Sequence, residues 1–252
     1  NAPFKTSTGS EINVGSIAYV PGDEYNAQTA KFTYHTSQSG MNYRMYSPPA
    51  EEGKEYAVLF WLHGYLQGGS DNESQILGNR VTFFASDEIQ EKFDGMYVVA
   101  PQNPEDEQTW SWMQTDETGR SSSLPVLISL INEVIENNAI DRDRVYIGGF
   151  SAGGFMTWHT ILEYPELFAA AIPVCSAYAP TADELKVLKD MPIWIVHSAN
   201  DPVCPVANSR NAYDYLTKLH GSTEVRYSEY PNVIEKWPLY TVPSLAMTFG
   251  YS

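Results

Sequence analysis

Residues 148–154 read GGFSAGG, after the apolar run RVYI and before FMTWHTIL. A serine hydroxyl is a poor nucleophile until a base removes its proton. A serine between glycines at a strand-to-helix junction therefore points to covalent catalysis from a strained turn. Such a turn exposes the oxygen at the carboxyl edge of a sheet, and the backbones pass so closely that small neighbours are required. Gly149 and Gly153 stand in those places, which makes Ser151 the candidate nucleophile. A glycine-rich packing turn is the competing reading, and the flanking strand and helix patterns weigh against it.

Acyl transfer also needs donors aimed at the oxyanion of a tetrahedral intermediate. The N–H of the residue after the nucleophile, Ala152, is one. The second belongs on a loop after an early strand, and WLHGYLQGGSDN is such a loop, with Tyr65 as its donor. His63, in the same stretch, looks like a general base. A histidine at an HG strand end more often shapes its loop by hydrogen bonding, which is the role expected of it. In MPIWIVHSANDPVCPV, Asp201 lies just past an apolar run, where a carboxylate could orient an imidazole. Asp183 and Glu184 are the alternatives for that acid, and a plain Asp-Pro turn is the structural one.

The elements that position these residues follow from hydropathy. AKFTYHTS and MNYRMYSPP alternate as two antiparallel strands. AVLFWLHG, MYVVAPQ, RVYIGGF, AAAIPVCS and MPIWIVHS are continuous apolar runs of the kind buried on both faces, and EVRYSEYP is a weaker sixth. Between them, Leu124, Leu127, Ile128, Ile131, Val134 and Ile135 fall at helical spacing behind a serine cap and Pro125. In VANSRNAYDYLTKLHG the apolar face is Ala207, Tyr213, Leu216 and Leu219, with glycine as the stop. Strands alternating with helices predict an α/β fold: a mostly parallel sheet with helices on both faces and an antiparallel N-terminal part. No repeat or linker interrupts residues 1–252, so they are read as one domain, with 1–50 contributing strands to the same sheet.

Composition bounds the partners. A chain of 252 residues with 43% hydrophobic and 13% aromatic content can bury a substantial core. No apolar run reaches the roughly 18 residues a membrane helix needs. Residue 1 is Asn and no signal-like stretch follows it, which reads as a mature or trimmed form. The formal charge of −16, from 31 acids against 15 Lys and Arg, disfavours nucleic acid and anionic membranes and suits a neutral substrate. The five histidines and two cysteines show no zinc-binding spacing, so no metal is expected. Cys175 and Cys204 should both lie near the carboxyl edge of the sheet, as free buried thiols or, in an exported protein, as a bridge.

With these residues in hand, the stretch from VLFWLHG through GSDNESQ, VVAPQNP, IGGFSAGG, FAAAIPVCSA and MPIWIVHSANDPVCPV resembles bacterial α/β-hydrolase esterases. It is most similar to the branch of polyhydroxybutyrate-depolymerase-like, feruloyl and acetylxylan esterases, over roughly residues 55 to 233. The resemblance implies Ser151 as nucleophile, Asp201 as acid and Tyr65 and Ala152 as backbone donors. It also implies an ester substrate, an acyl or feruloyl group on a polysaccharide, and no cofactor. Gln102, Trp110 and Trp112 fall on loops where such esterases line their clefts. A secreted, extracellular or periplasmic location is expected, with the cytoplasm as the alternative.

One feature departs from the pattern. Relatives follow a YPNV-like strand end with Gly-His and then Trp, and that histidine is the base. This chain reads YPNVIEKWPLYTVPSLAMTFGYS, without histidine. His220 follows Asp201, but the intervening helix, spanning roughly 24 Å, carries it to the opposite edge. Lys236 lies near the expected place, although Ser-Lys catalysis uses other geometries. Two readings stay open: a stretch bearing the histidine belongs near Ile234 to Lys236, or the chain is a hydrolase-fold binding module without a base.

Overall fold

The computed structural model describes residues 4–5, 11–12, 27–77, 79–104 and 111–231. A short antiparallel pair, β1 (Phe4–Lys5) and β2 (Glu11–Ile12), precedes the main sheet. That sheet holds β3 (Thr33–Thr36), β4 (Asn42–Tyr46), β5 (Tyr56–Leu62), β6 (Met96–Gln102), β7 (Ile140–Phe150), β8 (Ala170–Val174), β9 (Ile193–Ser198) and β10 (Val225–Tyr230). Their spatial order is β10-β9-β8-β7-β5-β6-β4-β3. The pairs from β6 through β5 to β10 are parallel, and β3 and β4 join antiparallel at the β6 edge. All eight predicted strands are present, and the chain forms a mostly parallel α/β sheet.

The apolar runs are continuous because both faces are covered. All seven residues of β5 are buried. Val58, Phe60 and Leu62 pack on one side with the helix Leu124–Asn137, whereas Ala57, Leu59 and Trp61 pack on the other with Ile76, Val81 and Ala85. This is the two-residue period of a strand read out as two cores. Each fully buried Leu, Ile or Phe contributes on the order of 2 kcal/mol.

The helix we call α1 (Leu124–Asn137) buries all six residues expected on its face, and Pro125 sits in its first turn. The cap differs. Ser123 makes no side-chain bond to the helix; its Oγ accepts from the Asn103 amide at 3.0 Å. Helix α2 (Ala152–Glu163) follows the nucleophile and is buried from Ala152 through Ile161. Helix α3 (Val206–Asp214) changes to a π-turn over Tyr215–Leu219. The inward face of α3 holds Ser209 and Ala212, with Leu216 following, and differs from the expected one: Ala207 is exposed, and within the wider turn Leu219 is 62% exposed.

Candidate active site

The sequence from β7 into α2 forces a sharp reversal at Ser151. Its backbone stands at φ 56°, ψ −115°, a conformation costly for any residue but glycine. The Ser151 N–H donates to the carbonyl of Val174 at 2.9 Å, and its carbonyl accepts from Phe155 N–H at 2.9 Å. The surrounding glycines are steric necessities. A Cβ on Gly153 would lie 2.1 Å from the Leu62 oxygen, and one on Gly149 would lie 2.7 Å from the same atom. A Cβ on Gly154 would meet the Val174 oxygen at 2.8 Å. The β5 end, the β8 end and the first turn of α2 are thus pressed together around one serine, which remains 6% exposed.

Ala152 is the first residue of α2, so its N–H has no intrahelical acceptor. Tyr65 belongs to the loop after β5. The preceding Gly64 packs its Cα on the ring of Phe150, the residue before the nucleophile, with only 2.5 Å left for a Cβ. The backbones carrying the two expected donors therefore border the same turn.

That loop is held from beneath. The N–H of Asn103 can only donate, so His63 Nε2 accepts from it at 3.1 Å. The other nitrogen, Nδ1, then carries the proton and donates to the Gly64 carbonyl at 2.8 Å. His63 is fully buried, and burial lowers its pKa to about 4 against the opposing pull of the Gly64 bond and Asp71. It is a loop-shaping neutral imidazole, as its HG context suggested.

Gln102 does similar work. Its Oε1 accepts from Asn72 N–H at 2.7 Å, and its Nε2 donates to Asp71 Oδ1 at 2.6 Å. Burial alone would raise the Asp71 carboxyl; hydrogen bonds from Ser74, Glu73 and Gln102 reverse that and hold it at about 2.

Burial bears on the expected cleft residues. Gln102 is 0% exposed with its amide committed to the loop, and Trp112 is 0% exposed within the core, its ring 5.2 Å from that of His63. Neither presents side-chain surface to a substrate. Trp110 and Lys236 lie outside the described residues.

The acid loop follows β9. Asp201 Oδ1 accepts from the N–H groups of Val203 at 2.8 Å and Cys204 at 2.9 Å, a local turn that fixes the carboxylate. Its side chain is 1% exposed, yet Oδ2 is buried without a hydrogen-bond partner. Cys204 stands between acid and nucleophile, its Sγ 4.0 Å from Ser151 Oγ. The alternative acids are elsewhere engaged: Glu184 closes a capping box with Thr181 and accepts from Tyr178 Oη at 2.6 Å, and Asp183 is exposed in the same short helix. Cys175 and Cys204 are both buried and unbridged.

All five histidines are among the described residues, and no bond joins any of them to Ser151 Oγ. His220 Nε2 lies 2.6 Å from the Ala182 carbonyl, shortly before the start of β10 and so at the opposite edge of the parallel strands. His197 was not singled out by the sequence reading. It is on β9, and its Nε2 lies 3.4 Å from Asp201 Oδ2. A histidine four residues ahead of the candidate acid, on a buried strand, was the available signal. Among the described residues no cluster of His, Cys, Asp and Glu could hold a metal, and no helix is long and apolar enough to cross a membrane.

Known proteins carry the same arrangement of elements. The chain is 33% identical over 120 residues to a poly(3-hydroxyalkanoate) depolymerase of Paucimonas lemoignei, covering 45% of this chain and 26% of that protein. It is 31% identical over 110 residues to a bifunctional acetylxylan esterase/xylanase of Neocallimastix patriciarum, covering 44% of this chain and 15% of that protein. An acyl-protein thioesterase of Debaryomyces hansenii is 29% identical over 123 residues, 47% of this chain and 52% of that one. The chain thus spans about half or less of these relatives. The crystal structure of a thermostable esterase superposes with a TM-score of 0.75 at 32% identity, covering 87% of this chain and 60% of that one. Residues 50–236 match the phospholipase/carboxylesterase family, and the chain belongs to that family of α/β-hydrolases.

Proposed function

We propose that the chain is a serine ester hydrolase acting through an acyl-enzyme on Ser151, with Asp201 as the acid and the Tyr65 and Ala152 N–H groups as oxyanion donors. The observation that carries this reading is the strained turn at Ser151 beside a buried carboxylate whose Oδ2 lacks a partner. An unpartnered buried carboxylate oxygen costs roughly 1–3 kcal/mol or more, and an imidazole N–H arriving there would satisfy it. The hydroxyl of Ser151 would attack the ester carbonyl while that imidazole takes its proton. The resulting oxyanion would lie against the donors, and the alkoxide would leave with the proton returned. None of the five histidines bonds Ser151 Oγ, so none of them supplies this base. Ile234 to Lys236, where the resemblance would put it, read Ile-Glu-Lys, so the base is the one component that the experiment below supplies from outside, as imidazole.

Two of the relatives and the net charge support a substrate class. Acetylxylan esterase and polyhydroxyalkanoate depolymerase both cleave oxygen esters, and a chain of charge −16 favours neutral substrates. Acyl groups on carbohydrate, feruloyl among them, are the proposed substrates, with a secreted setting to match.

The experiment is covalent labelling by a fluorophosphonate, with and without millimolar imidazole as a surrogate base. Labelling in either condition that disappears in Ser151→Ala is expected. A protein silent in both would leave the hydrolase-fold binding module as the reading.

A further inference from the structure

Resting on the esterase reading above, we infer that His197, braced by Ser209, is a positioning residue that sets the orientation of the Asp201 carboxylate. His197 is 1% exposed, and Ser209 on α3 is 3% exposed. The imidazole has two assigned partners. Its Nε2 lies 3.0 Å from the Cys204 carbonyl, which can only accept, so Nε2 carries the proton. Its Nδ1 lies 2.7 Å from Ser209 Oγ and therefore accepts the serine hydroxyl.

The consequence is geometric. The Nε2–H ties the end of the 199–205 loop back to the strand that launches it. In the same loop, the Cys204 N–H holds Asp201 Oδ1 at 2.9 Å. The same Nε2 is 3.4 Å from Asp201 Oδ2, with no hydrogen bond formed but a positive N–H edge facing the negative oxygen. One imidazole thus fixes the loop through a main-chain bond and faces the carboxylate that the loop carries. Ser209, His197 and Asp201 have the composition of a catalytic triad. Ser209, however, lies on the buried face of a helix without a strained turn, so this set is structural support for the acid of the site at Ser151.

Two readouts test this. The first is ¹⁵N spectroscopy of the histidines in the intact protein, which needs no activity. His197 should show a protonated Nε2 and an unprotonated Nδ1, and Asp201→Asn should shift its Nε2–H resonance. A protonated Nδ1 with bare Nε2, or a resonance indifferent to Asp201→Asn, would overturn the inference. The second is the rate of Ser151 labelling under the condition that gives it. Misplacing a catalytic group by about 1 Å costs roughly 10²-fold, so His197→Leu should slow labelling by about that factor. His197→Gln, whose amide can still donate to the Cys204 carbonyl, should stay within about 3-fold of the parent. Ser209→Ala, which keeps the imidazole and guards against a folding defect in His197→Leu, should fall between them. Equal rates in all three variants would overturn the inference. If wild type fails to label, the esterase reading fails, while the spectroscopic result still decides whether His197 holds Asp201.

Discussion

His63 has one proton and two committed nitrogens, and a second proton has no room. Protonating Nε2 would break its bond from Asn103 N–H and place a charge in a fully buried position. Its pKa is therefore near 4, against 6.5 for the unhindered side chain. Between those values the unfolded chain binds a proton that the folded one refuses. Stability from this residue is complete above pH 6.5 and is lost as pH falls toward 4, by about 3 kcal/mol at the lower end. His63→Gln should be less stable than the parent at pH 7, and the gap should close as pH drops through that window. Urea unfolding of both proteins from pH 7 to pH 4.5 measures it, and parallel curves would refute the assignment. The same residue shows how far the sequence could be read at this scale. The HG context indicated loop shaping. That Gln102 would spend its amide on Asn72, Asp71 and Gln67 had no local signal, because those partners come from a different stretch of the chain.

At the scale of elements, the inner parallel strands were legible because a strand covered on both faces must be apolar at every position, as β5 is, whereas the edge strands β3 and β10, largely exposed, carried a weaker signal. Tertiary context overrode the local pattern at two helices. Ser123 exchanged its capping bond for Asn103, and the π-turn at Tyr215–Leu219 turned Leu219 outward. The strained turn at Ser151 and the carboxylate turn at Asp201 were legible as local structure because each rests on a short motif at a strand end. His197 was not, since its role exists only once Ser209 and Cys204 are brought to it. The closest element contact yields a prediction. In Gly153→Ala the new methyl would meet two carbonyl oxygens of the β5 end, Leu62 at 2.1 Å and His63 at 2.7 Å. Neither is a side chain that can swing away, so β5 and α2 must separate. A loss of about 3 kcal/mol or more is expected. Gly119 has φ +84° and no atom within 4 Å of a Cβ, so Gly119→Ala should cost only the backbone strain, about 1 kcal/mol. Thermal unfolding of the two variants compares them. Equal losses would mean that the elbow is less tightly closed than the distances indicate.

The whole molecule acts on a ligand through its net charge before any contact is made. Acids outnumber Lys and Arg by 31 to 15, giving −16. Several of the few cations are already committed on the surface: Arg210 pairs with Glu229, Lys92 with Glu88 and Arg144 with Asp141. The field around the chain is therefore repulsive to anions, over a distance set by the ionic strength, about 10 Å at 0.1 M and 3 Å at 1 M. Ester chemistry at Ser151 does not itself distinguish a charged tail from a neutral one, so the field should. Two fluorophosphonates of equal length, one ending in a carboxylate and one in an alcohol, separate this effect from fit. The neutral probe should label Ser151 several-fold faster at low salt. The carboxylate probe should gain on it steadily as salt screens the repulsion, and the two rates should converge near 1 M. A ratio independent of salt would place the discrimination in direct contacts near the serine. A faster carboxylate probe at low salt would show a local positive field at the site mouth, contrary to the neutral polysaccharide esters proposed as substrates.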